Sequence, residues 1–393
     1  MNPHRARACH VALVAVVVVA ALSAMAPSRA LAVERTFGAS GQLDYFFVPT
    51  EKGASARAIG FDGFTPEIAA KVAADLSEHL SANVKVCYGC HGLEVDMAHL
   101  DYRVRDELSF RAGRFSPSFG AYNLRHDPAN HGLSDKPLPY DMGRMLRMRS
   151  WNFGVLPSPF PDQGVEVSGT HWFGESAQLD YAAYAVSGFR AASPAMDLDF
   201  VQSRTPGVYY VDNNSRPTVG GRTALTLKLA PDSDLTFGAS GMYGTFDPTN
   251  SLSYAIVGAD VSLRIGQTNV RAEYLLRRQD FDVGDPTRFK YALAAQRSDF
   301  FVKHGAYVEL EQPLGPRVTL LGRVDGLFRV GNVEAGSELS QRSSVGRATL
   351  GSIFTIERSL RLKASVEGYD FSDGDANGRH VAVGFHVASV WTF

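Results

Sequence analysis

Long stretches of this 393-residue chain alternate strictly between apolar and polar residues. A period of two places successive side chains on opposite faces, so these stretches read as β-strands with one greasy face and one wet face. The C-terminal stretch shows it best. Val381, Val383, Phe385, Val387, Ser389, Trp391 and Phe393 share one face, and His380, Ala382, Gly384, His386, Ala388, Val390 and Thr392 the other. Between Arg317 and Arg329, Val318, Leu320, Val324 and Phe328 oppose Thr319, Arg323, Asp325 and Arg329. Val270, Ala272, Tyr274 and Leu276 oppose Arg271, Glu273, Leu275 and Arg277 in the same way. Strands of this kind suit a soluble antiparallel sheet over a core or a transmembrane barrel with lipid outside and water inside. Most of them run about ten residues or longer, as a tilted span requires. The expected fold is therefore all-β, a transmembrane antiparallel β-barrel.

Sixteen such segments run from Thr36–Phe47 to Val381–Phe393, an even number, as is usual in single-chain bacterial barrels. Tight polar turns fall at Ser77–Ser81, Arg105–Glu107, Gly174–Ser176, Pro231–Asp234, Gly266–Thr268, Gln312–Pro316 and Glu357–Arg358. They occupy alternate strand junctions, so all would face one side and the longer loops the other. Glu67–Leu80 reads two ways. Ile68, Val72, Leu76 and Leu80 are spaced by four, as in an amphipathic helix, yet Ala70 and Ala74 between them keep the period of two. The strand is expected here, because Ser77-Glu78-His79 reads as a turn; a helix would shift the parity of the early strands.

Arg5 and Arg7 precede a run of Val, Ala and Leu from Val11 to Leu22, and Ala30-Leu31-Ala32 supplies the small residues of a cleavage site. Residues 1–32 are thus expected to be a secretory signal peptide and residues 33–393 the barrel. The apolar run is short for a membrane anchor. Its removal takes away three arginines and no acid, so the mature chain is more acidic than the −2 of the whole. That balance argues against nucleic acid as a partner, which calls for a basic excess.

The strand that ends on Phe393, with Trp391 two places earlier, resembles the C-terminal strand of bacterial outer-membrane proteins. The resemblance implies an outer-membrane location reached through the periplasm, with lipid as the first partner. The stretch FRAGRFSPSFG, residues 110–120, resembles the corresponding segment of the oligogalacturonate, phosphate and alginate porin superfamily. It leads into the longest loop, about 116–163, which is dense in Pro, Gly, Asp and Asn. In porin-like barrels such a loop can fold inward and narrow the lumen. Trimers are common among sixteen-stranded porins, so a homotrimer is implied.

One motif carries chemistry. Of three cysteines, Cys9 leaves with the signal, and Cys87-Tyr88-Gly89-Cys90-His91 remains as CxxCH. It resembles the c-type haem attachment site. That resemblance implies one covalent haem c on Cys87 and Cys90, with His91 as the proximal iron ligand. A Cys87–Cys90 disulfide in an oxidising compartment stays open as an alternative. A zinc site lacks a second ligand pair, and a thioredoxin-type motif calls for another fold. Asn83, Lys85 and Cys87 share the face expected to line the lumen. On the next strand Val95, Met97 and His99 alternate with Asp96, Ala98 and Leu100. Met97 and His99, or His126, His131, Met142, Met145 and Met148 from the long loop, are the candidate sixth ligands. For each of them solvation or packing is the commoner role.

Two functions follow. The first is a porin-like barrel with one haem, acting in electron transfer. A single haem does not bridge a hydrocarbon layer about 30 Å thick, so this function needs a partner cytochrome, an arrangement that resembles porin–cytochrome conduits. The second is a plain diffusion porin for small polar solutes, with Cys87–Cys90 as a disulfide. Its lumen would be lined by Arg271, Arg277, Arg323, Arg329, Arg361 and Lys363, balanced by Glu273, Asp325 and Glu367. No GxSxG, Walker A or HExxH occurs, and no catalytic residue or enzymatic activity is assigned. Asp212-Asn213-Asn214 fits a Ca²⁺ loop or ordinary Asx turns.

Overall fold

The computed structural model describes residues 34–47, 63–89, 92–125, 127, 129–141, 154–156, 158–191, 200–201, 212–280, 300–331, 342–372 and 379–393. The expected signal peptide lies outside them, as do Cys90, His91, His126, Met142, Met145 and Met148.

Sixteen strands close into one antiparallel barrel. In chain order they begin with β1 (Arg35–Phe47), β2 (Gly63–Asp75), β3 (Leu80–Gly89), β4 (Gly92–Arg105), β5 (Leu108–Phe115), β6 (Asp162–Phe173) and β7 (Ala177–Val186). A two-stranded ribbon follows, β8 (Arg190–Ala191) with β9 (Phe200–Val201), outside the barrel ladder. The barrel resumes with β10 (Thr218–Ala230), β11 (Ser233–Thr245), β12 (Ser253–Ile265), β13 (Thr268–Asp280) and β14 (Phe300–Pro313). It ends with β15 (Val318–Gly331), β16 (Arg342–Glu357), β17 (Leu360–Ser372) and β18 (Arg379–Thr392). β1 pairs with β18 from Ser40↔Thr392 to Phe47↔Phe385, which closes the cylinder. The ambiguous early segment is a strand: β2 pairs with β1 along Arg35↔Ala74 to Phe46↔Gly63 and with β3 on its other side.

The alternation sorts side chains as lipid and water demand. Val324, Leu350, Val381 and Val387 point outward, while Arg323, Asp325, Lys363, Glu367 and His386 are buried inside. Trp391 lies against Gly41 on the outer face, where any Cβ would collide with the indole. Seven of the connections are short and sit at one end. In one of them Gly266 takes φ 57°, a positive value that suits the primed turns matching strand twist. The other end carries the longer connections, with one exception. Gly89 and Gly92 are Cα partners, so only residues 90 and 91 join β3 to β4.

The phase of β4 departs from the expected one. Lys85 pairs with Met97 but Val86 pairs with Val95, so Asp96 is an extra residue, a β-bulge. Met97 and His99 keep the expected inward face, whereas Val95 turns outward. Glu94 and Asp96 are both buried inside. The reason is electrostatic: a carboxylate on the lipid face is costly, and the bulge turns Asp96 onto Lys85 at 2.8 Å.

An outward charge tests the barrel's surroundings. Val324, 65% exposed at the middle of β15, changed to Arg is expected to destabilise the folded barrel in lipid vesicles by about 2–4 kcal/mol. The shift in its urea unfolding midpoint measures this, and an unchanged midpoint would mean that the outer face does not meet hydrocarbon.

Candidate functional site: a lumen filled by one loop

The described residues of the segment between β5 and β6 enter the barrel and form a core there. Phe119, Leu138, Tyr140, Val155, Leu156 and Phe160 are fully buried. They belong to one apolar cluster with wall residues from many strands, among them Phe46, Tyr184, Met242, Ile256, Leu327 and Phe371. Each such side chain gains about 1.5–3 kcal/mol on burial, so the loop behaves as the interior of a soluble domain placed in a membrane barrel. Its two arms are tied together at Asn123. The Asn123 Oδ1 accepts from the Ser158 hydroxyl at 3.1 Å and the Phe160 N–H at 3.2 Å.

Polar contacts fix the loop to the wall. Asp135 sits between the guanidinium groups of Arg323 on β15 and Arg347 on β16. Arg323 also approaches Asp325 at 3.4 Å and Glu309 at 3.5 Å, and Arg347 also pairs with Asp325. All these side chains are nearly inaccessible, so the charges are desolvated and depend on one another. The Leu138 N–H donates to Asp325 at 2.9 Å. Glu273 on β13 is the second anchor: it accepts from the Ala121 N–H at 3.0 Å, the Tyr122 N–H at 3.3 Å, and the Tyr140 and Tyr307 hydroxyls. Lys363 on β17 donates to the His131 carbonyl at 2.8 Å, and Arg361 to the Ala129 carbonyl at 2.8 Å. Gly120 donates to Ser240 of β11 at 2.9 Å and Ser118 to Glu166 of β6 at 2.8 Å. Lys85 of β3 pairs with loop Asp127. Gly132 passes so close to Leu321 that a Cβ there would overlap the leucine.

Most of the lumen-lining residues named from the sequence therefore hold the loop. Arg277 donates to the Val155 carbonyl at 3.1 Å. Arg271 instead pairs with Glu311 at 2.8 Å on the wall itself. Sequence reasoning missed the loop's own partners, Asp127, Asp135 and the backbone donors of residues 118–122. Their only signal was the density of Asp, Gly and Pro in the segment.

The CxxCH motif is placed only through its first residue. Cys87 lies on the inward face of β3, half-buried, a free thiol with Ala69 and Glu94 as strand partners. The disulfide of the porin alternative involves Cys90, which lies outside the described residues; Cys87 itself is carried inward by the ladder of β3 with β4. Lys85 shares the inward face of β3 with Cys87, and Glu94 is the strand partner of Cys87; Cys90 and His91, the rest of the expected haem site, lie outside the described residues. Three of the candidate sixth ligands are described. His99 uses both ring nitrogens, Nδ1 toward the Arg114 carbonyl at 3.2 Å and Nε2 toward Asp101 at 3.3 Å. His131 donates from Nδ1 to the Leu133 carbonyl at 2.6 Å and docks against β17, away from β3. Met97 pairs with Lys85.

Comparison with known proteins yields no matching family model and no matching curated protein. Solved structures do match. The outer membrane channel DcaP of Acinetobacter baumannii aligns over 92% of this chain and 97% of its own at 12% identity, TM-score 0.57. An anion-selective porin from Comamonas acidovorans aligns over 92% and 100% at 10% identity, TM-score 0.55. OmpT of Vibrio cholerae, in a trimer form, aligns over 92% and 100% at 9% identity, TM-score 0.53. At such identities the likeness is one of fold: this chain has the closed sixteen-strand architecture of outer-membrane porins.

Burial pushes the His131 imidazolium well below its usual range, and the nearby Lys363 ammonium adds to the effect. The docked loop therefore binds fewer protons than the undocked one below about pH 6.5. Its stability is full above that value and falls on acidification. Limited proteolysis in detergent is expected to cut the loop faster as pH drops from about 7 to 5, and His131→Gln is expected to flatten that dependence.

Proposed function

We propose that this chain is an outer-membrane diffusion porin for small polar solutes, with a lumen reduced by its inward loop to a narrow passage. The observation that carries the reading is the docking of the described residues between β5 and β6 inside a closed barrel through Asp135, Glu273 and Lys363. A wet, charged lumen with a rigid constriction passes solutes by size and charge and performs no chemistry. Arg323 and Arg347 are neutralised in the buried clamp by Asp135, Asp325 and Glu309, so they add little field to the passage and the overall ion preference is weak. The trimer form of the Vibrio cholerae protein supports a homotrimer here.

Purified protein in a planar bilayer is expected to give small, steady channels. Replacing residues 121–157 by a short Gly-Ser link is expected to raise single-channel conductance severalfold. Folded protein that opens no channel in either form would end the porin reading.

A second reading rests on the CYGCH spacing, whose Cys87 the ladder of β3 with β4 places on the inward face two residues from the end of β3. Haem staining after denaturing electrophoresis separates the two. No stain is expected; a covalent haem signal would make electron transfer the function.

A further inference from the structure

We infer that solutes cross the constriction along the β2–β3 wall, past Glu67 and Cys87, through a pinch formed by Lys85 and loop residue Asp127. This rests on the porin reading and adds the route and the residues that set selectivity. The loop does not occlude the outer half of the barrel evenly. From β4 round to β1 the described inward side chains there are buried, among them Glu94, Glu166, Tyr184, Tyr254, Leu327 and Asp44. Arg222, held by Asp260, shows only 11% of its side chain. Inward Gly164, Gly220 and Gly258 have no side chain to line a path. Thr65 and Glu67 on β2 and Cys87 on β3 stand apart, since each is partly exposed.

The local residues explain the gap. Ala69 and Cys87 are Cα partners, and two short side chains leave the wall shallow. One step deeper, Lys85 reaches from the wall to Asp127, whose side chain remains 28% exposed. Beyond the pinch come Lys71, which pairs with Lys85 across the strands and is exposed, and Asn83. At the short-turn end lies a cavity of about 730 Å³, lined by Asp75, Asp101, Arg103 and Arg111 among others; Asn83 donates to Asp101 at 3.2 Å.

Lys85 is neutralised by buried Asp96, which leaves the partly exposed Glu67 and Asp127 and the exposed Lys71 along this path. Two carboxylates against one ammonium group give a modest preference for cations, because the low-dielectric walls focus their field.

The full mature chain in a planar bilayer tests the route. After reduction, the anionic thiol reagent sulfonatoethyl methanethiosulfonate is expected to reduce single-channel current in the wild type. The block should persist in Cys90→Ser and vanish in Cys87→Ser, with labelling of Cys87 checked by mass spectrometry. In a KCl gradient the reversal potential should lie on the cation side. Glu67→Gln with Asp127→Asn should move it toward zero, and neither residue belongs to the apolar cluster that packs the loop. Channels whose current is unchanged by a labelled Cys87, a Cys87 that no reagent reaches, or a reversal potential unmoved by the two substitutions would overturn the route while leaving the porin reading intact. Absence of channels altogether would instead fell the porin reading.

Discussion

Within hydrocarbon a backbone N–H or C=O has no water to turn to, so every strand must find partners on both sides. Pairing of β1 with β18 meets this demand for the whole sheet at once. Closure in turn divides each strand into two environments, and the chain answers with side chains of period two. The charged interior and the greasy exterior are thus two results of one requirement. An open sheet of the same sequence would leave two edges unpaired in lipid, at several kcal/mol for each unsatisfied group.

The loop solves a different problem inside the cylinder. A sixteen-strand barrel is too wide for wall side chains to fill, and the loop brings both an apolar core and its own counter-charges. Asp135 is the clearest case. Arg323 and Arg347 on adjacent strands would repel each other in a dry interior, and the carboxylate between them, with Asp325 beside it, turns that repulsion into a clamp. Such charges add little net stability over apolar replacements, but the loss of one partner strands the others. The arrangement therefore fixes where the loop sits more than how firmly it sits.

The strand count, the closing of the ladder and the side to which the loops turn were legible because periodicity and turn chemistry are local properties of sequence. Within Glu67–Leu80 the pattern alone left helix and strand open, and pairing with both β1 and β3 decided for the strand. The phase of β4 was not legible, since nothing in Glu94-Val95-Asp96-Met97 marks an inserted residue until Lys85 is placed opposite. The anchors of the loop were equally hidden. Contacts such as Asp135 with Arg347 join residues far apart in the chain, and their pairing follows from how the barrel curves. Of the CxxCH motif, Cys87, Tyr88 and Gly89 stand in β3, whose ladder turns Cys87 inward beside Glu94.

The bulge on β4 has one further consequence. Because Glu94 already pairs with Cys87 and Met97 with Lys85, Asp96 is a spare residue in the ladder. A chain lacking it would thread β3 and β4 in unbroken alternation, with Glu94, Met97 and His99 still inside. The wall gains no continuity from Asp96. It gains a buried carboxylate against the Lys85 ammonium, acquired by a one-residue insertion that leaves every other strand of the cylinder in place.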